Sequence, residues 1–267
     1  MKRKTLALLA LAALAFTATG CKMLKARDNL NKGVQAYRNA QYAQAVEKFE
    51  QAVQLDPTFP TARLYLAMAY YSQYIPGAES PENQQMADRA LQEFEKVLQQ
   101  DPKNDIATKS IASLYFNEKK WAEAEEWYKK AIALNAKDKE GYYTLGVIAW
   151  SKWYRPWAEA RAKLSMKPED PGPIKDKKVK EELKAQYLPM INEGIQNLQK
   201  ALEIDKDYDD AMAYMNLLIR ERADLDDTQE EYKKDVQTAD DWVQKTLQTK
   251  KMKAERKPTS TGINASQ

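Results

Sequence analysis

Shifted along itself by about 34 residues, this chain overlays like on like. Gly33 and Ala67 stand one such step apart, as do Ala90 and Ala124, and Ala112 and Gly146. A unit of that length is too short to bury its own apolar face, so it is stable only when its neighbours cover it. The chain must therefore fold as a stack. Its composition says a stack of what: Ala, Leu, Glu, Gln and Lys dominate, and only eight glycines are present. These are helix formers.

Within each unit the residue types follow one plan. The first runs through Gly33, Tyr37, Tyr42, Ala45, Phe49, Ala52 and Leu55-Asp56-Pro57. The second has Ala67, Tyr70, Ala90, Phe94, Val97 and Asp101-Pro102, and the third Ala112, Tyr115, Trp121, Ala124, Tyr128, Ala131 and Leu134-Asn135. Small residues at 33, 67, 112 and 146 let a second helix approach closely, meeting Ala45, Ala90, Ala124 and Gly194. Phe49, Phe94, Tyr128 and Leu198, four positions on, are expected to fill the space toward the next repeat. Asp-Pro at 56–57 and 101–102 ends the second helix, since proline disfavours helix in the residue before it. Ala136 and Lys206 replace that proline later, so those turns should rest on Asn135 and Asp205.

This pattern resembles the tetratricopeptide-repeat family over residues 26–249. The resemblance implies an all-α helix-turn-helix solenoid of about five repeats. The fifth unit fits least well: its first helix takes either Asn216 or Leu218 at the small-residue site. Thr228-Gln229-Glu230-Glu231 reads as a capping box that opens the last helix. Three units are stretched between their helices, at about residues 75–84, 156–182 and 223–228, the middle one by roughly 36 residues against the period. Pro156, Pro168, Pro171 and Pro173 are expected to break helix in that insertion, with helix resuming from Lys175 to Tyr187. Residues 250–267 read as a basic, unstructured tail.

The amino terminus carries a second message. Met1-Lys2-Arg3-Lys4 precedes an apolar run from Leu6 to Phe16, too short to span a bilayer, and then Ala18-Thr19-Gly20-Cys21. This resembles a signal peptide over residues 1–20 that ends in a bacterial lipobox. The resemblance implies cleavage before Cys21, lipidation of that cysteine, and a short tether over 21–25. Lys22 stands where Asp would direct inner-membrane retention in some bacteria, which favours the periplasmic side of the outer membrane. The formal charge of +3 equals the contribution of Lys2, Arg3 and Lys4, so the processed chain is near neutral and not suited to nucleic acid.

Chemistry-bearing patterns are few. The chain has no histidine and one cysteine, which removes the commonest general base and any thiolate metal cage. No Gly-rich phosphate loop or nucleophile elbow occurs. Asp205, Asp207 and Asp209 alternate as in a calcium loop, but Asp210 and Asn216 occupy the glycine and glutamate positions, so they read as a turn. Neither an enzyme, a cofactor nor a metal is expected. Binding is. By register with the family, the groove-facing residues are Leu30, Val34 and Tyr37, then Leu64, Met68 and Tyr71, then Lys109, Ser113 and Phe116, and finally Tyr143, Val147 and Trp150. Apolar sites there suit an amphipathic helix or extended apolar peptide. Trp150, Trp153, Tyr154 and Trp157 share one helical stripe that either staples the insertion down or forms an aromatic platform.

The function implied is an envelope-anchored, non-catalytic protein–protein interaction scaffold. In repeat count and anchor it is similar to tetratricopeptide lipoproteins of outer-membrane β-barrel assembly and of pilus-subunit assembly. The alternative is a glycan- or peptidoglycan-binding module that uses the Trp-rich insertion of repeat four.

Overall fold

The computed structural model describes residues 2–167 and 169–256, with side chains from Gly20 onward. Every regular element among the described residues is helical. Five helix pairs follow in order: α1 (Lys2–Arg38) with α2 (Tyr42–Leu55), α3 (Pro60–Tyr71) with α4 (Pro81–Gln100), α5 (Asp105–Asn117) with α6 (Trp121–Leu134), α7 (Lys139–Lys163) with α8 (Lys177–Ile204), and α9 (Asp209–Arg222) with α10 (Gln229–Arg256). The chain divides into two compact units, Met1–Trp127 and Tyr128–Gln267.

In the first unit α1 packs on α2, α2 on α3, α3 on α4 and α4 on α5. Its core runs from Leu30 through Phe49, Leu66, Phe94 and Ile111. The small residue of each pair meets the large one directly. A Cβ on Gly33 would lie 2.4 Å from the Phe49 ring, so this ring sits over Gly33 within its own repeat. Its other face stacks on Tyr65 of α3, with centroids 5.5 Å apart. The large residue thus fills space on both sides.

The second unit repeats the device. A Cβ on Gly146 would lie 2.4 Å from Leu198 Cγ, and one on Gly194 2.5 Å from the Ala149 Cβ. Here α7 is covered by both α8 and α9. The register of the fifth pair is resolved by its start. Ala67, Ala112 and Gly146 are each the eighth residue after the helix-preceding Phe59, Asn104 and Asp138; the same count from Tyr208 reaches Asn216.

The turns between repeats share one hydrogen bond. Asp56, Asp101, Asn135 and Asp205 each accept the backbone N–H two residues on, from Thr58, Lys103, Lys137 and Asp207. The side chain therefore makes the turn, and proline is dispensable where Ala136 and Lys206 stand. The capping box forms as expected: Thr228 N–H donates to Glu231 Oε2, and Glu231 N–H to Thr228 Oγ1.

Two expectations fail. Pro156 does not break helix; α7 runs through it, and α8 likewise runs through Pro189. Each proline forfeits one backbone bond, but buried residues grip the helix on both sides: Trp153, Ala160 and Arg161 around the first, Leu183 and Ile191 around the second. The insertion of repeat four is mostly two lengthened helices, and among the described residues only 164–167 and 169–176 are loop. The expected unstructured tail also starts too early, because α10 continues to Arg256. Lys253 pairs with Asp209, and Arg256 with Asp207 at 3.1 Å. Residues 257–267 lie outside the described residues.

Candidate functional site

The recurring aromatic at the end of each first helix has a structural job. Tyr37 and Ser72 hydroxyls lie 2.8 Å apart, and those of Tyr71 and Ser113 lie 2.6 Å apart. Trp150 Nε1–H donates to Glu221 Oε1 at 3.0 Å. Each ring thus lies against its helix while its polar tip ties that helix to the next pair. Phe116, with no polar tip, packs edge-on against Trp121 instead.

The remaining groove residues divide. Leu30 and Val147 are buried core residues, which corrects their assignment to a partner-facing surface. A first helix is covered by its own second helix and by the next first helix, so its buried face is wider than the family register implies. Val34, Leu64 and Met68 are half-buried against the first unit's core. Lys109 is half-exposed and ion-paired with Asp105 at 3.1 Å. Tyr143 is half-buried between Tyr208 and Tyr214, and burial pushes its hydroxyl up to about 12.

The tryptophan stripe of α7 splits across two faces. Trp153 is wholly buried, its ring 5.4 Å from Tyr187 of α8, so it is a core residue and not part of a platform. Trp150, Tyr154 and Trp157 point the other way. With Tyr208, Tyr143 and Tyr214 they form a file of six rings, successive centroids 5.0–5.8 Å apart. Lys139 sits over the Tyr208 ring at one end, and Arg161 over Trp157 at the other.

At the Arg161 end lies a feature that the repeat pattern did not reveal. Arg161 and Asp224 are both 4 % exposed at the side chain and paired at 2.6 Å. Trp157 Nε1–H donates to the same carboxylate oxygen at 2.7 Å. Arg161 also donates to the carbonyls of Lys167 and Asp170 at 2.5 and 2.6 Å. The 164–176 loop closes over this pair: Ile174 N–H donates to the Asp224 carbonyl, and Gln229 to the Gly172 carbonyl. A Cβ on Gly172 would lie 2.0 Å from Asp224 Oδ1, so only glycine lets the loop come this near. The insertion is therefore stapled by an ion pair as well as by aromatic packing.

Beside the pair is a cavity of about 390 Å³, lined by Tyr154, Trp157, Arg161, Glu169, Asp170, Leu217, Arg220, Glu221, Asp224 and Tyr232. Glu221 is 5 % exposed, and its Oε2 has no hydrogen-bond partner. Burial pushes its carboxyl up to about 7, with a smaller push from Asp224, while the Trp150 hydrogen bond pulls it down. The native chain thus holds a proton that the unfolded chain gives up. Stability from this group is complete below about pH 4.5 and falls as pH rises to about 7, by on the order of 3 kcal/mol. Asp226, raised to about 6 chiefly by burial, adds to the same trend. Urea melts of the wild type and Glu221→Gln should therefore agree near pH 5, and the variant should be the more stable at pH 8. Equal stabilities at pH 8 would contradict the assignment.

The calcium-like aspartates have other partners. Asp205 accepts from Lys139 at 2.6 Å, and Asp207 and Asp209 take the α10 cations described above. No cluster that could hold a metal occurs among the described residues.

Comparison with known proteins agrees with this architecture. A family model described as tetratricopeptide repeat matches residues 84–146, and another described as TPR repeat matches residues 37–73. The sequence finds no match among curated proteins. Among solved structures, a MamA crystal structure aligns with a TM-score of 0.58 at 15 % identity, covering 89 % of this chain and 98 % of that one. MamA 41-end from Desulfovibrio magneticus RS-1 gives 0.57 at 16 % identity, covering 85 % and 96 %. YrrB, described as a TPR protein with an unusual peptide-binding site, gives 0.52 at 15 % identity, covering 84 % and 90 %. Residues 37–73 and 84–146 thus match tetratricopeptide-repeat models, and the chain shares the all-α helix-pair fold of these solved structures.

Proposed function

We propose that this chain is an exported interaction scaffold, lipidated at Cys21 and held at the membrane face of a bacterial cell envelope, where its repeats bind a protein or peptide partner. The repeat architecture carries the reading. Within the first unit, tandem helix pairs present side chains from successive first helices to one partner, and Met68 of α3 and Lys109 and Phe116 of α5 retain partial solvent exposure there. YrrB's description as peptide-binding supports a peptide ligand for a fold of this kind.

Cys21 suits the anchoring role. It is exposed, and the buried core begins only at Ala26. Five helical residues span about 7.5 Å, so acyl chains on Cys21 would hold the first repeat close to the lipid. No helix among the described residues is long and apolar enough to cross a membrane. In this reading the lipid supplies the attachment, at about 0.8 kcal/mol for each buried CH₂.

Cys21→Ser tests this. The wild type should fractionate with membranes and begin at a cysteine carrying the mass of its acyl groups. The variant should be released to the soluble fraction. An unmodified Cys21, or a variant that still sediments with membranes, would contradict the anchor.

A further inference from the structure

We infer that the cavity between α7, the 164–176 loop, α9 and α10 receives the ammonium group of a lysine side chain from the partner. Only the identity of the ligand as part of a protein rests on the scaffold reading; the chemistry of the cavity stands apart from it. Six charged residues line the cavity: Glu169, Asp170, Glu221 and Asp224 against Arg161 and Arg220. Both guanidiniums are already engaged, Arg161 by Asp224 and two carbonyls, and Arg220 by Asp240 and Asn216. Asp224 is engaged in turn by Arg161 and the Trp157 indole. The acidic excess thus falls on Glu221 and on the loop residues Glu169 and Asp170.

Glu221 gives the cavity its selectivity. One of its oxygens is taken by Trp150; the other is buried with no donor. Above about pH 7 this carboxyl is ionised; a buried acceptor without a partner is costly, and a ligand N–H would remove that cost. Arg161 Nε is a buried donor without a partner, but an anion seeking it would face four carboxylates. A single unpaired acceptor suits a compact ammonium better than a guanidinium, whose fork matches two acceptors. The walls fit the rest of the side chain. Tyr154 and Trp157 stand 5.8 Å apart between centroids, and Tyr154 is 46 % exposed at the mouth. Trp157 already carries the Arg161 guanidinium, so it is the Tyr154 face that can line an alkyl stem and attract the cation at its end.

The test uses the full-length mature protein at pH 8, where Glu221 is ionised, and Nα-acetyl-lysine methylamide as probe, followed through the indole N–H resonances of Trp150 and Trp157. Both should shift saturably with a midpoint of about 1–10 mM, the strength expected of one side chain. The norleucine analogue and the Glu221→Gln variant should each bind at least about tenfold more weakly. Tyr154→Ala should weaken binding while leaving Glu221 in place, and its unchanged Trp153 resonance would show that the fold is kept. The inference is overturned if no saturable shift occurs, if norleucine or the glutamate analogue binds as well as lysine, if the arginine analogue binds better, or if Glu221→Gln binds normally. Because no protein partner enters this experiment, its failure would leave the scaffold reading standing.

Discussion

Asp224→Ala should destabilise the second unit by about 3–5 kcal/mol, the cost of leaving a buried charge without its partner. Asp224 holds Arg161 and Trp157 through one carboxylate oxygen, and its carbonyl receives Ile174 of the loop. Without the carboxylate, Arg161 keeps the carbonyls of Lys167 and Asp170 and the face of Trp157, none of which carries a compensating charge. Removing both charges is a different perturbation, because buried pairs replaced together by apolar groups often cost little. The double variant Arg161→Met with Asp224→Ala should therefore recover at least half of the loss. Urea denaturation followed by tryptophan fluorescence reads both. A single-variant loss below about 1 kcal/mol would place the loop's anchorage elsewhere.

Trp153→Ala should cost about 3–5 kcal/mol, the range for a large aromatic removed from a packed core. Trp153 is wholly buried against α8, and the cavity left would adjoin Pro156, where α7 already lacks a backbone hydrogen bond. Trp153→Phe should cost much less, since the buried indole N–H has no partner to lose. Tyr154→Ala, one residue on at an exposed position, should lie within about 1 kcal/mol of the wild type. The contrast separates a core residue from a surface one in a stripe where spacing alone makes them alike. Equal losses at 153 and 154 would refute the split.

What was legible in the sequence is what is local. The aspartate turns and the Thr228–Glu231 capping box each depend on residues two or three positions apart, the small-residue contacts on one recurring period, and all three form. The all-α stack follows from them. Burial across helices was less legible. Leu30 and Val147 sit in the family's groove register, yet coverage by a third helix turns them into core. Pro156 obeys a local rule that tertiary packing on both flanks overrides.

The Arg161–Asp224 pair is 63 residues apart in sequence, and it lies between an insertion and a turn that no repeat period aligns. A hint was present in Gly172, one of only eight glycines in the chain, placed among prolines where a close backbone approach is one use of the residue. Glu221 carried no hint. Its burial depends on Trp150, which the repeat pattern placed on a groove.

The central claim is that successive first helices bind a protein in the envelope. It is tested most directly by in-cell photocrosslinking from single positions on the lipidated chain. A photoreactive phenylalanine at Met68 of α3 and another at Lys109 of α5, both in the first unit, should each yield one discrete protein adduct of the same identity. One at Glu123, an exposed second-helix position, should yield none. No adduct from 68 and 109, or the same adducts from all three positions, would contradict the account.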